Sequence, residues 1–473
     1  MNRVVLADLG YVVPELILLG MALVLILFAR RIRESQAAAI GTVAAAVAAA
    51  LAAMSGSSAE AQSAFAGMIV VDGYSRFFTV LIAAALALAT LLSTQDSDHE
   101  AVPRGEYHSL LLLAAVGMMI AVSTPDLLTL YLGLELMTVC SYILVGITRK
   151  RQASIEGAIK YFLVASFASA ILLYGISLTY GLTGATDFTA IASALSEHGL
   201  GSNPLLVVAI VLVVCGLAFK VAAVPFHAWA PDAYQGASAP VAAFLAAASK
   251  AAGLAALGRV VLAAFGSQAM VLSVILWGLA ALSLLAGSIV SMAQTDMKRL
   301  LAYSSIAHAG YALLGLLAGT PEGVSATMTY AFIYVFMTLG AFGVVVALGE
   351  RGETLDGYQG LAAQRPAIAG VFLVFLLSLT GFPPTAGFMA KFTVILSAVR
   401  TGHVLLAVLA VLCSVISAFV YMRVAVTMFM KEPKQPAPAR FPMAVSAALA
   451  IAVLVTLMGG VLPGLLLPWA VSP

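Results

Sequence analysis

The sequence predicts an all-α integral membrane protein of about fourteen transmembrane helices, and three observations predict it. Of its 473 residues 62% are hydrophobic and only 9% charged. The mean hydropathy is +1.07. The apolar residues gather in runs of about twenty or more, enough at 1.5 Å per residue to cross a hydrocarbon core of ~30 Å. Water is not the main solvent for such a chain.

Apolar runs set against polar breaks place helices near 11–29, 37–54, 74–94, 106–122, 126–147, 154–181, 204–224, 239–265, 269–293, 299–318, 325–349, 366–398, 402–430 and 442–468. The first follows Met1-Asn2-Arg3, is longer than a signal-peptide core, and precedes Arg30-Arg31-Ile32-Arg33 instead of a cleavage site, so it is expected to be retained. The longest polar connections lie around 350–365 and from Lys431 to Arg440. Neither has the character of a soluble domain, and residues 1–473 are expected to form a single membrane domain.

A chain that crosses at every helix puts Arg30, Arg31, Arg33, Arg104, Arg149, Lys150, Arg151, Lys298, Arg299, Arg351, Arg365, Lys431, Lys434 and Arg440 on one side. Arg3, Arg76 and Arg400 remain on the other. The positive-inside rule then makes the basic loops cytoplasmic and both termini periplasmic, in a bacterial inner membrane. An odd number of helices destroys this bias, so the charges check the count independently.

Several chemistries find no support. No basic run suggests nucleic acid. No GxGxxG follows a strand and no Walker motif occurs. Cys140, Cys215 and Cys413 all lie inside apolar runs without CxxC spacing, which argues for packing over haem, iron–sulfur or zinc ligation.

The informative residues are the charges within the spans: Glu135, Lys160, Lys220, Lys250, Arg259, Lys391 and Arg423. A lysine or carboxylate near a helix centre costs roughly 2.5–3.5 kcal/mol on insertion scales, so each needs a partner, a wet cavity or a task. Lys220 is the candidate counter-charge for Glu135, either as a static structural pair or as a switch of proton affinity. Lysine suits the second role because its pKa moves with burial and with nearby carboxylates, whereas arginine stays protonated. Arg259 and Arg423 sit nearer span ends, where snorkelling explains them. Lys160 follows Glu156 by four residues, so plain helix stabilisation competes with a transport role. His227 and His308 are candidate proton carriers or satisfied structural donors, with Tyr303 a candidate hydrogen-bonded relay to His308.

Helix breakers stand beside two of the lysines: Pro225 five residues after Lys220, and Gly381-Phe382-Pro383-Pro384-Thr385-Ala386-Gly387 just before Lys391. A broken helix frees backbone groups that hydrocarbon cannot satisfy, which is why discontinuous spans mark ion pathways. Lys220 falls in the seventh expected span and Lys391 in the twelfth, five spans on. A repeat with an odd number of spans must invert in the membrane. The expected organisation is therefore 1–105 as three leading helices, 106–265 and 266–430 as two inverted five-helix repeats, each with a broken helix, and 431–473 as a loop and last helix. A lateral row Glu135, Lys220, Lys250, Lys391 then joins two half-channels.

These residues carry a resemblance. Leu130–Leu136 around Glu135, Gly157-Ala158-Ile159-Lys160-Tyr161-Phe162-Leu163, Phe219–Asp232, Ser249-Lys250-Ala251-Ala252 and Gly381–Phe392 resemble the antiporter-like subunits of respiratory complex I, the proton-pumping NADH-quinone oxidoreductase, over about 106–430. Lys391, where the related M subunits have glutamate, and an end soon after the fourteenth span, where L subunits carry a long lateral helix, point to the subunit N branch. The resemblance implies fourteen helices and proton translocation driven by quinone reduction elsewhere. It implies no cofactor in this chain, with FMN, iron–sulfur clusters and quinone in other subunits. Its partners are the other membrane subunits, related antiporter-like ones included, together with lipid and protons. Glu135, Lys220, Lys250 and Lys391 are implied as the central relay, with Lys160, His227 and Tyr303 supporting. One departure is the stretch Ala233-Tyr234-Gln235-Gly236-Ala237-Ser238-Ala239-Pro240, where the family commonly has glutamate at the third of these positions and a further proline. The alternative reading is a subunit of a multisubunit Na⁺/H⁺ antiporter, and a third is a membrane scaffold whose buried charges are fixed pairs.

Overall fold

The computed structural model describes residues 8–29, 31–54, 61–95, 104–197, 201, 203–434, 436 and 441–462. Arg3, Arg30, Arg440, the side chain of Arg104 and the end of the last expected helix, 463–468, lie outside the described residues.

The helices in chain order are α1 (Val13–Leu27), α2 (Glu34–Met54), α3 (Gly73–Leu92), α4 (Arg104–Ser123), α5 (Leu127–Val145), α6 (Gln152–Thr183), α7 (Phe188–Glu197), α8 (Pro204–Lys220) and α9 (Trp229–Gly236). There follow α10 (Ala239–Ala264), α11 (Ala269–Ser291), α12 (Met297–Leu317), α13 (Pro321–Leu348), α14 (Leu361–Gln364), α15 (Pro366–Thr380), α16 (Ala386–Arg400), α17 (Val404–Met430) and α18 (Met443–Val461). Among the described residues twelve helices are long and apolar enough to cross a membrane. The apolar α8 and α15 are shorter, and they are the leading parts of the two spans expected to be broken.

Polar residues cap the apolar runs and take up amides that a helix start leaves without partners. The Asp72 carboxylate accepts from the Ser75 N–H at 2.7 Å while the Ser75 hydroxyl accepts from the Asp72 N–H at 3.0 Å. Asp126 accepts from Leu128 and Thr129 N–H at 2.9 and 2.8 Å, and Asp296 from Arg299 N–H at 2.9 Å. Pro204, Pro321 and Pro366 stand at first helical positions, where the missing N–H costs nothing.

Two helices stop inside the apolar layer. After Lys220 the chain turns through 221–228, with Ala222 at φ +54°, before α9; after Thr380, Gly381 adopts φ +86° and α16 begins at Ala386. The freed backbone groups find protein partners, as hydrocarbon requires. The Trp229 indole donates to Phe219 O at 3.1 Å, Ser283 Oγ accepts from Val224 N–H at 2.9 Å, and Lys391 donates to Thr380 O at 2.8 Å.

The interior belongs to α10, α12 and α13, which are buried almost throughout. The outer helices turn large apolar side chains outward, among them Leu23, Phe167, Val274, Leu405 and Leu454. One arrangement occurs twice. Asp126 caps α5 and bridges Asp187, just past α6; Asp296 caps α12 and bridges Thr354, just past α13. The two capping aspartates are separated along the chain by nearly the same interval as Lys220 and Lys391.

Several details differ from expectation. A short antiparallel hairpin, β1 (Gln62–Ala64) with β2 (Ile69–Val71), lies between α2 and α3 in a chain expected to be wholly helical; polar Gln62-Ser63 and β-branched Ile69-Val70-Val71 fall outside every expected span. Helix α10 is not regular, for Leu245–Ser249 and Val260–Ala264 are π-helical turns. Arg259 does not snorkel. It is 6% exposed, donates to both Asp72 carboxylate oxygens at 2.8 and 2.9 Å, and lies 4.9 Å over the Tyr74 ring. Burial works against ionisation of Asp72, but this guanidinium outweighs it and holds the carboxyl below its ordinary range. Arg423 donates to the carbonyls of Met292 and Gln294 at 2.7 and 2.6 Å, completing the C-terminus of α11. Lys298, read as a loop cation, is fully buried on Glu353 at 2.8 Å.

Candidate functional site

The charged residues expected to form a row lie on several helices of the bundle. Its first pair is Glu135 of α5 and Lys220, the last residue of α8, with Nζ 3.5 Å from Oε1. The pair is asymmetric: the lysine side chain is 1% exposed and the carboxylate 28%. The closest partner of Lys220 is the Thr138 hydroxyl at 2.6 Å, one turn after Glu135 on the same face of α5. The Ser169 hydroxyl of α6 donates a short hydrogen bond to the same carboxylate oxygen. Glu135 is therefore shared between a buried ammonium and a hydroxyl on the neighbouring helix.

Lys220 packs on α10. A Cβ added at Gly253 lies 3.3 Å from the Lys220 Cβ and 3.0 Å from Val221, so the two helices meet tightly here. One turn back on α10, directly after the π turn, stands Lys250, 1% exposed. Its ammonium donates to Ser305 O at 2.5 Å and Ser305 Oγ at 2.7 Å. Lys391 of α16 donates to Thr380 O at 2.8 Å and to the Ser414 hydroxyl of α17 at 3.0 Å, 4.5 Å over the Tyr311 ring. Gly381, at positive φ, lies against this side chain, where a Cβ meets Lys391 Cδ at 2.8 Å. The carbonyl left free by the helix break is thus the ligand of the lysine that follows it. Among the described residues no carboxylate pairs with Lys250 or Lys391.

Helix α12 joins the two. Ser305, His308 and Tyr311 recur every three residues and so share one face, spanning ~9 Å along the axis. Ser305 holds Lys250, Tyr311 underlies Lys391, and His308 between them lies within electrostatic reach of both lysines. His308 Nδ1 shares a hydrogen bond of 2.6 Å with the Tyr330 hydroxyl of α13. Tyr330, not Tyr303, is the phenol partner of His308; Tyr303 is half-buried on another face of α12, near Arg299. Sequence reading missed Thr138, Ser169, Ser305, Tyr311, Tyr330 and Ser414. The signal for two of them was present, since Ser305 and Tyr311 stand three residues before and after His308 on α12.

Two supporting candidates lie apart from the row. Lys160 bonds Glu156 at 2.7 Å and Asp232 at 2.9 Å, so the helix-stabilising pair exists and a longer link exists beside it. Asp232 also takes Arg299 at 2.6 Å, and Arg299 donates to Gln235 Oε1 at 3.0 Å while Gln235 donates to Asp296 at 3.2 Å. An amide at 235 can accept from Arg299 and donate to Asp296 at once; a glutamate there adds a third carboxylate and no donor. His227 sits half-buried in the turn after α8, within electrostatic reach of Lys250, with Nδ1 lacking a hydrogen-bond partner. A second cluster ties Arg151 to Glu353 at 2.9 Å, and Glu353 to Lys298. Among the described residues no group of His, Cys, Asp or Glu is arranged to hold a metal ion.

The buried amines of Lys220, Lys250 and Lys391 have hydroxyls and carbonyls as ligands, with the His308 imidazole within electrostatic reach of the last two. The family profile described as NADH:quinone oxidoreductase/Mrp antiporter, transmembrane, matches residues 124–417. The NADH-quinone oxidoreductase subunit N of Desulfovibrio desulfuricans is 45% identical, the match covering 98% of this chain and 96% of that protein. Subunit N 2 of Rhizobium meliloti is 42% identical over 95% of this chain and 94% of its own. Among solved structures, a chain of respiratory complex I from Thermus thermophilus superposes with a TM-score of 0.84 at 35% identity, covering 97% of this chain and all of that one. A chain of the Mrp complex from Dietzia sp. gives 0.87 at 23% identity over 99% and 96%, which is a likeness of fold.

Proposed function

We propose a mechanism on the premise that this chain belongs to the NADH:quinone oxidoreductase/Mrp antiporter membrane family, and within it to the subunit N group of NADH-quinone oxidoreductase: the chain carries protons across the membrane while NADH oxidation and quinone reduction proceed in other subunits. The relay is Glu135, Lys220, Lys250 and Lys391, with His308 between the last two. FMN, iron–sulfur clusters and quinone belong to other subunits, and the partners are the further membrane subunits of the complex, related antiporter-like ones among them. The carrying observation is the Ser305–His308–Tyr311 run of α12, which links two buried lysines that have no carboxylate partner among the described residues. A charge arriving at the half-exposed Glu135 alters its 3.5 Å pairing with Lys220. Each pKa unit so shifted is worth about 1.4 kcal/mol between protonation states. The changed amine passes its proton toward Lys250, and His308 bridges the step to Lys391. Lys160, His227 and Tyr303 act at the flanks.

The topology proposed with it has fourteen crossings, the twelve long helices and the broken pairs α8/α9 and α15/α16. Two inverted repeats, 106–265 and 266–430, fit the twofold occurrence of the capping aspartate and its bridge. The basic loops face the cytoplasm of a bacterial cell and both termini the periplasm. The test is NADH-driven proton uptake into inverted vesicles carrying Lys220→Ala, with assembly followed by native gel and quinone reduction in parallel. Lost uptake in an intact complex supports the relay, and wild-type uptake ends it. The Na⁺/H⁺ antiporter reading, which the Mrp fold likeness keeps in view, instead requires transport driven by a sodium gradient without NADH.

A further inference from the structure

His308 of α12 is 3% exposed and lies within electrostatic reach of Lys250 on α10 and Lys391 on α16. Tyr311 of α12 and Tyr330 and Tyr334 of α13 surround its ring, with centroids 5.3 to 6.0 Å away. The Tyr311 hydroxyl donates to Ala410 O at 2.8 Å, whereas the Tyr330 hydroxyl stands 2.6 Å from Nδ1 of the imidazole. The ring also has a carbonyl within hydrogen-bond reach, that of Leu379. Leu379 belongs to the last turn of α15, where carbonyls have no donor within the helix. The second helix break therefore offers one carbonyl to the histidine and the next, Thr380 O, to Lys391.

A neutral imidazole has one nitrogen that donates and one that accepts, and the bond made by one fixes the role of the other. A carbonyl only accepts, so the nitrogen that meets it carries the proton. Resting on the relay proposed above, we infer that Tyr330 is a positioning residue for His308: Nε2–H donates to Leu379 O, and the Tyr330 O–H donates to Nδ1. A proton passed to the ring then has one landing place, Nδ1. As it arrives the phenol O–H turns away, and the new Nδ1–H donates to the same oxygen. When the ring gives a proton up again, the hydroxyl turns back and donates as before. The ring gains one proton and loses one, and Tyr330 keeps its own throughout. A hydroxyl can do this because it both donates and accepts. It holds the neutral ring in one tautomer and pairs the charged ring, as burial of an ion requires.

The test follows NADH-driven proton uptake against pH in inverted vesicles, with assembly checked by native gel, for Tyr330→Phe, which deletes only the hydroxyl, and for His308→Gln. Tyr330→Phe is expected to slow uptake about three- to tenfold, the worth of one neutral hydrogen bond. It is also expected to move the alkaline limb of the pH profile to lower pH, because the charged ring has lost its acceptor. A merely structural loss lowers uptake alike at every pH. An unmoved profile in Tyr330→Phe, with uptake abolished in His308→Gln, leaves the relay standing and overturns this assignment. Undiminished uptake in His308→Gln ends the carrier role of His308 and this assignment with it. The natural chain gives a second measurement: nitrogen-15 spectra of the histidine-labelled assembly, less those of His308→Gln. At alkaline pH these are expected to show a proton on Nε2 and a hydrogen-bonded, unprotonated Nδ1. A proton on Nδ1 of the neutral ring overturns the assignment whether or not Tyr330→Phe assembles.

Discussion

At the first helix break Lys220 precedes the turn and faces a carboxylate at 3.5 Å; at the second, Lys391 follows the turn and faces the freed carbonyl of Thr380, a serine hydroxyl and a tyrosine ring. The spacing of the two capping aspartates shows where the difference arises. The step along the chain that carries Asp126 onto Asp296 carries Glu135 onto Ser305. The α12 position corresponding to the acid of the first half is a serine, and that serine holds Lys250. The first half therefore contains a counter-ion whose pairing can be altered from the half-exposed side of α5. The second contains neutral ligands that accept a proton-bearing amine without fixing it. In the proposed relay one half is triggered and the other conducts.

The comparison breaks most sharply at Glu135. Glu135→Gln keeps the shape and removes the charge, and NADH-driven proton uptake is expected to fall at least about tenfold, the scale of a lost proton-transfer group, with the complex still assembled on a native gel. Ser305→Glu makes the second half resemble the first. A carboxylate beside Lys250 favours its charged form, and uptake is expected to drop several-fold, by about one pKa unit of added pairing, while quinone reduction continues in uncoupled membranes. Undiminished uptake in this variant means that the missing acid is immaterial.

Smaller effects sharpen the geometry. Ser414→Ala takes one of two hydrogen bonds from the Lys391 ammonium and is expected to cost about 1.5–3 kcal/mol of local stability, read from the melting of the purified assembly. Gly253→Ala forces a methyl against Lys220 and Val221 and is expected to destabilise by about 1–3 kcal/mol in the same assay. Least of all, the Asp72–Arg259 pair predicts a pH dependence. The folded-state pKa of Asp72 is lowered, so the stabilisation is complete above the unfolded value of about 3.9 and lost as pH falls through the lower folded value. The melting difference between the natural chain and Asp72→Asn should hold at neutral pH and shrink in that acid window.

Much of this was legible before the fold was known, because hydrocarbon is a strict solvent. A chain 62% hydrophobic must close its backbone hydrogen bonds within helices, so the apolar runs marked the spans to within a few residues. The breakers at Pro225 and at Gly381–Gly387 marked the two interruptions, and the cost of buried charge marked Glu135, Lys220, Lys250 and Lys391. Hydroxyl ligands escaped notice because serine, threonine and tyrosine cost little in a span and so leave no sharp signal one at a time. Lys298 and Arg259 were misread for a related reason: position near a helix end does not reveal whether a distant segment, here Glu353 or Asp72, arrives to bury and pair the charge.

The sequence by itself determined the solvent, the spans, the breaks and the charged residues, since each follows from transfer energies and backbone chemistry that act locally along the chain. Only the tertiary structure decided partners. That Lys250 meets Ser305, that His308 meets Tyr330, and that Lys391 takes the carbonyl released by its own break depend on which helix faces lie together. Helix packing sets those contacts through the summed shapes of many apolar side chains, and no single stretch of sequence contains that sum.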